Sequence, residues 1–299
     1  MTKIPVGPTI AHAYRFTFTN GLTVLRAIAL PMLAQMVLFF LFLKRAALFL
    51  AAAAAQDPSA VTLVGPLLLL IVLITIFFFA QFTAATETAL GRPPASWLSF
   101  PFGKPMWRLM GGFLTALAAI AASGLAALLL VWLLSFGLDL ILKAAPASRP
   151  VIAVIAGLLV LVFGCATFYL AIRFLFLLAP VSVSEQRLGV KQAWQLSAGN
   201  FWRAFLVTLS IAVPAAIVND VYSLWMAGSP YVAAGASKDA MQAAEMAWRI
   251  TELNALASHW YFTLPLMALL MLFQLSTGCA AQAFAYRVLT EGEKLPPPG

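Results

Sequence analysis

The sequence predicts an all-α integral membrane protein with six transmembrane helices, grouped as three pseudo-repeated units of an interfacial helix plus a two-span hairpin. Three observations carry this prediction. Only 9% of the residues are charged and 63% are hydrophobic, whereas a soluble domain needs about 25% charged residues to cover its surface. Six apolar stretches each reach the ~20 residues that cross a ~30 Å hydrocarbon core as a helix. Lys and Arg collect in alternate connections between those stretches.

The first span is expected over Gly21–Leu43 with Pro31 inside, and the second over Val61–Ala84. The third runs from about Leu109 to Leu142 and the fourth from about Val151 to Val183. Both exceed what the bilayer needs, so they must tilt, bend or project. Pro180 is the expected bend in the fourth. The fifth covers Phe201–Met226 with Pro214, and the sixth Trp260–Ala285 with Pro265. Small residues recur every four positions at Ala118, Ala122 and Ala126, and again at Ala153 and Gly157. These predict faces for close helix packing.

Between the fifth and sixth spans, Ala243, Met246, Ala247, Ile250, Leu253 and Ala257 recur at helical spacing. Gln242, Glu245, Arg249 and Glu252 fall on the other face, with Glu245 and Arg249 spaced for an i,i+4 pair. An amphipathic helix is expected here. Two placements are open for it: flat on the lipid surface, or packed as a cap on the protein itself.

With the N-terminus inside, twelve Lys/Arg fall on the inner face and six on the outer, whereas four acids fall inside and six outside. This places both termini in the cytoplasm. The net charge of +8 is therefore read as membrane orientation, and no nucleic-acid partner is expected. Cys165 and Cys279 lie in apolar runs and His12 and His259 are far apart, so no metal site, cofactor or disulfide framework is expected. The residues before Asn20 lack the short apolar core of a cleavable signal peptide.

Self-similarity adds organisation. At an offset of 180, Ile10, Ala13, Tyr14, Thr17 and Asn20 match Val190, Ala193, Trp194, Ser197 and Asn200. A looser third copy contains Glu87, Gly91, Trp97, Trp107 and Arg108, with Pro93 and Pro94 opposing helix formation at its start. One membrane domain, 1–299, is expected, with units at about 1–91, 92–188 and 189–299.

Arg173-Phe-Leu-Phe-Leu-Leu-Ala-Pro180, then Glu185, Gly189, Ala193-Trp194, Ser197 and Gly199-Asn200-Phe201-Trp202-Arg203, resemble the signature of the glycerophosphoryl diester phosphodiesterase membrane-domain family. The segment Ile10 to Pro31 is similar to the opening of related bacterial membrane proteins. The resemblance implies a bacterial inner-membrane protein. In the family's namesakes the membrane region is joined to a soluble phosphodiesterase domain, which this chain lacks, so enzymatic activity is not carried over. Motifs for zinc proteases, phosphate-binding loops and nucleophile elbows are missing from the sequence.

The candidate contacts to lipid or a partner are Arg173, Arg187, Lys191, Trp194, Asn200, Trp202, Arg203, Tyr14, Arg15, Trp107 and Arg108. Arg173 could pair with Glu185, Glu87 or a lipid phosphate. Arg26, Glu87, Asn219 and Asp220 are candidate buried polar residues. Arg26 can snorkel to the inner surface. Asn219 and Asp220 read either as a solvated helix end or as part of a cation or proton path. Gln81, Gln274 and Gln282 are expected to make interhelical hydrogen bonds. The predicted function is a non-enzymatic scaffold or accessory subunit. It would contact membrane lipids, anionic ones included, or a membrane-protein partner through its basic cytoplasmic helices. The alternative is a small-molecule transporter or lipid translocator, which requires a polar cavity reaching the midplane.

Overall fold

A computed structural model describes residues 2–92, 101–144, 149–185, 188–228 and 237–292. All regular structure among them is helical. Six of the helices are long and apolar enough to cross a membrane, as the apolar runs predict. The chain is in this sense a polytopic membrane protein.

Helix α1 spans Val6–Ala54 without a break. Its 49 residues extend ~74 Å at 1.5 Å per residue, well beyond a ~30 Å core. The interfacial helix expected over residues 10–20 is therefore not a separate element. The polar step Thr19-Asn20-Gly21 between it and the span does not break the helix. A short turn leads to α2 (Ser59–Ala89), where Asp57 Oδ1 accepts from Ser59 N at 2.8 Å. Helix α3 covers Lys104–Ala144 and α4 covers Arg149–Leu175.

The fourth run breaks within one turn before Pro180, the expected bend. Helix α4 stops at Leu175, and the short α5 (Leu178–Ser184) follows. Pro180 falls in the first turn of α5, where its own missing N–H costs nothing; it can give no N–H to the Phe176 carbonyl four residues back, and the break is at Phe176-Leu177. Next come α6 (Val190–Leu196), α7 (Phe201–Ala227), α8 (Lys238–Ser258) and α9 (Trp260–Glu291).

Helices α1, α2 and α9 form the central packing unit. Its core is built from small residues: Ala27, Ala84, Ala85, Cys279 and Ala283 are all buried. Such side chains let helix backbones approach closely, which maximises dispersion contacts where lipid offers no hydrophobic drive. His12 near the start of α1 stacks on Phe284 near the end of α9, with ring centroids 4.7 Å apart. The two ends of the chain's helical body thus share one face, called here the terminal face.

The expected small-residue face on α3 is displaced. Ala118, Ala122 and Ala126 are exposed, while Gly112, Ala116 and Ile120 form the buried stripe. Both rows have four-residue spacing, and spacing alone does not select between them. Gly157 is also exposed, and the side chain of Ala153 lies outside the described residues.

Helix α8 is the expected amphipathic helix. Ser237 caps it, accepting from Ala240 N at 3.2 Å, and Asp239 in its first turn suits the positive helix end. Its C-terminal half packs on the protein: Leu256 and Ala257 join Leu43 and Tyr222 in a small core. Glu252, expected on the polar outer face, is instead 9% exposed and bonded by Ser223 of α7. Arg249 pairs with Glu252 at 3.2 Å rather than with Glu245, because packing turns the Glu252 side chain inward.

Candidate functional site

The residues carrying the family resemblance hold the terminal face together. Arg173, in the last turn of α4, donates from Nη2 to Trp194 O at 2.7 Å and from Nη1 to Tyr169 OH at 3.1 Å. Its Nε reaches Ser197 Oγ at 3.3 Å, and its guanidinium lies 3.6 Å from the centre of the Trp194 ring. Arg173 therefore pairs with an aromatic face and a carbonyl, not with Glu185 or Glu87. Glu185 instead accepts from Gln192 and from Tyr286 OH.

Asn200 is 2% exposed. Its Oδ1 accepts from Ile4 N at 3.0 Å, and Arg203 Nη1 donates to Ile4 O at 2.9 Å. These two side chains pin the start of the chain beneath α7. Asn20, its counterpart in the repeat, only reaches the neighbouring Thr19 hydroxyl. Matched positions thus do different work, and the architecture does not display three repeated units. Tyr14 also turns inward, donating to Ser210 O at 2.9 Å. Replacing Asn200 by Leu should free the first residues and expose them to proteolysis; protection equal to that of the unaltered protein would contradict this clamp.

Other predicted contact residues stay at the surface. Trp202 is 70% and Trp107 50% exposed; Arg15 and Lys191 are exposed, and Arg108 is half-buried. Arg187 and Trp97 lie outside the described residues. Arg26 is exposed on α1, consistent with snorkelling, and Glu87 is half-buried near the end of α2.

Asn219 and Asp220 are both exposed, but only Asn219 lines a cavity. Asn219 lines a cavity of about 390 Å³ between α1, α7 and α9, together with Gln35, Gln274, Met36, Met267 and Met271. A second cavity of about 160 Å³ shares Gln274 and continues past Thr208 and Gly278 to Gln282. From Met267 to Gln282 the two extend ~22 Å along α9 at 1.5 Å per residue. The space exists because α7 presents Ala212, Ala215 and Ala216 here, which cannot fill the gap.

No charged side chain lines either cavity among the described residues. Gln81 donates to Gln35, so this expected interhelical bond is present. Gln274 and Gln282 do not make the expected bonds. The Gln282 Oε1 atom of the lining is buried with no partner among the described residues, and so is Gln81 Oε1 outside the lining. Amides facing hydrocarbon without partners are costly, so the groove offers hydrogen-bonding groups to whatever enters it. The methionines supply flexible, polarisable walls for an apolar chain. Sequence reasoning singled out the glutamines but not the groove, whose signal is alanine on α7 opposite amides on α9.

Among the described residues no three His, Cys, Asp or Glu side chains converge to hold a metal ion. Comparison with protein-family models, curated proteins and solved structures finds no match to this chain.

Proposed function

We propose that the protein binds an uncharged amphiphile from the bilayer in the groove between α7 and α9 and carries it as a transporter or lipid translocator, without chemical conversion. The observation that supports this is the row Asn219, Gln35, Gln274 and Gln282 along most of a membrane thickness, in which Gln282 Oε1 is buried without a partner among the described residues. An uncharged lining suits a neutral polar group such as a hydroxyl or ester. Methionine and alanine walls suit its chain. In this reading the membrane is the bacterial inner membrane and both termini are cytoplasmic, as the basic residues predict. Kinship with the phosphodiesterase membrane-domain family would rest on the Arg173–Arg203 segment, which here serves as a structural clamp.

The scaffold reading keeps one supporting observation. Trp107, Trp202 and Lys191 are exposed on or near the terminal face, where they suit contact with lipid headgroups or a partner.

The test is binding of a fluorescent diacylglycerol to the purified protein in nanodiscs, with an Asn219→Leu/Gln274→Leu variant. Each lost hydrogen bond is worth about 1 kcal/mol, so the pair should weaken binding by tenfold or more. Removing amides from an apolar setting should leave the thermal midpoint unchanged or raised. Equal binding by variant and unaltered protein would overturn the proposal.

A further inference from the structure

A notch of about 290 Å³ opens on the terminal face between α1 and the ends of α2 and α9, away from the amide groove. Helix α1 supplies His12, Asn20 and Thr23 to it from one stripe, and Arg287 comes from α9. No acidic side chain lines it among the described residues.

Each group is placed for a definite part. Arg287 Nη2 donates to Ala89 O at 3.1 Å. That bond fixes the guanidinium and offsets the negative end of α2. It uses one of five N–H donors, and no carboxylate pairs with Arg287 among the described residues. Gly91, with φ +83°, brings the backbone past this group: a Cβ there would lie 3.8 Å from Nη2. A left-handed φ of this kind favours glycine. His12 lies flat against Phe284, which fixes its ring plane at the wall. Asn20 gives one amide N–H to Thr19 Oγ1 and keeps the other. Thr88 Oγ1 donates to Ala84 O, so it is no donor to a ligand. The Thr23 hydroxyl has no bond to the described residues and is a donor. Asn20 immediately precedes the first apolar run, which puts the notch at headgroup depth.

We infer that this notch binds a phosphate group, with Arg287 supplying the charge and Asn20 and Thr23 supplying neutral donors. A guanidinium flanked by hydroxyl and amide donors matches the acceptor oxygens of a phosphomonoester. Two sources share that chemistry: a lipid headgroup and a free phosphate anion. The inference is independent of the amide groove.

The full chain in mild detergent is mixed with equal phosphatidic acid and diacylglycerol, and retained lipid is counted by native mass spectrometry. A second arm titrates inorganic phosphate and follows its phosphorus resonance. Phosphatidic acid should be retained preferentially, and Arg287→Gln should cut that retention about tenfold. Thr23→Val, which breaks no bond within the protein, should cut it about threefold. Dependence on these residues in the lipid arm alone assigns a headgroup; dependence in the phosphate arm assigns a free anion. Should Arg287→Gln loosen the end of α2, seen as a lower thermal midpoint, Thr23→Val decides the matter. Binding insensitive to Thr23→Val and to Arg287→Gln in both arms would overturn the inference. Gln274→Leu should change neither arm.

Discussion

Adding one methyl group at Gly112 should destabilise the protein by about 2–3 kcal/mol, the upper range for overpacking a tight core. Gly112 lies on the buried stripe of α3, against the segment that links α5 to α6. A Cβ there would lie 2.4 Å from the backbone oxygen of Leu188 and 3.3 Å from Leu178 Cδ1. The oxygen cannot retreat easily, because Ser182 Oγ also donates to it at 3.0 Å. The next residue, Gly189, has φ +72° and is itself crowded: a Cβ there would meet Ser182 Oγ and Val181 Cγ1 at 2.9 Å. Two glycines thus permit one close approach of loop to helix. The measurement is the unfolding midpoint of Gly112→Ala in detergent. Two neighbours serve as controls. At Gly111 the nearest atom is the movable Leu188 Cδ2 at 3.1 Å, and at Gly124 nothing lies within 4 Å. A Gly112→Ala midpoint no lower than that of Gly124→Ala would refute this account.

Arg173→Lys should cost about 2–4 kcal/mol although it conserves charge. The guanidinium makes three hydrogen bonds and covers the Trp194 ring. A charge-assisted bond is worth ~1.5–3 kcal/mol and a partly buried cation–π contact about 1–2 kcal/mol. Lysine is a point charge that cannot span Trp194 O, Ser197 and Tyr169 together. The readouts are the unfolding midpoint and the fluorescence of Trp194, the latter isolated by replacing the other tryptophans. If Arg173 served mainly as a charge for lipid phosphate, lysine would keep most of the stability. That outcome would remove the clamp.

The spans were legible because lipid exposure imposes a long apolar run, a signal that local packing does not blur. Helix α8 was legible for a second reason: apolar residues at a 3.6-residue period. What the period cannot give is the partner. Glu252 belongs to the polar face by pattern, yet Ser223 of α7 shelters it. The same limit explains α3, where alanines at 118, 122 and 126 and the Gly112–Ala116–Ile120 row have equal spacing and only contact chooses. The stop at Phe176-Leu177 is signalled by Pro180, but nothing in the pattern shows that the chain resumes as the separate short helix α5. In the groove, Gln274 and Gln282 stand out in an apolar run, but their lack of partners depends on alanines sixty residues or so earlier in the chain. Arg173 stood out as a charge; the ring it rests on is set by the fold of α6.

The bonds from Asn200 and Arg203 to Ile4 join residues 196 and 199 apart in sequence, which fixes an order of events during biogenesis. At a ribosomal pace of about 5–20 residues per second, Asn200 is made ~10–40 s after Ile4. Four spans are complete before the residue that secures the first segment exists. The N-terminal seal is therefore a late step of assembly, and its closure reports that α7 has arrived.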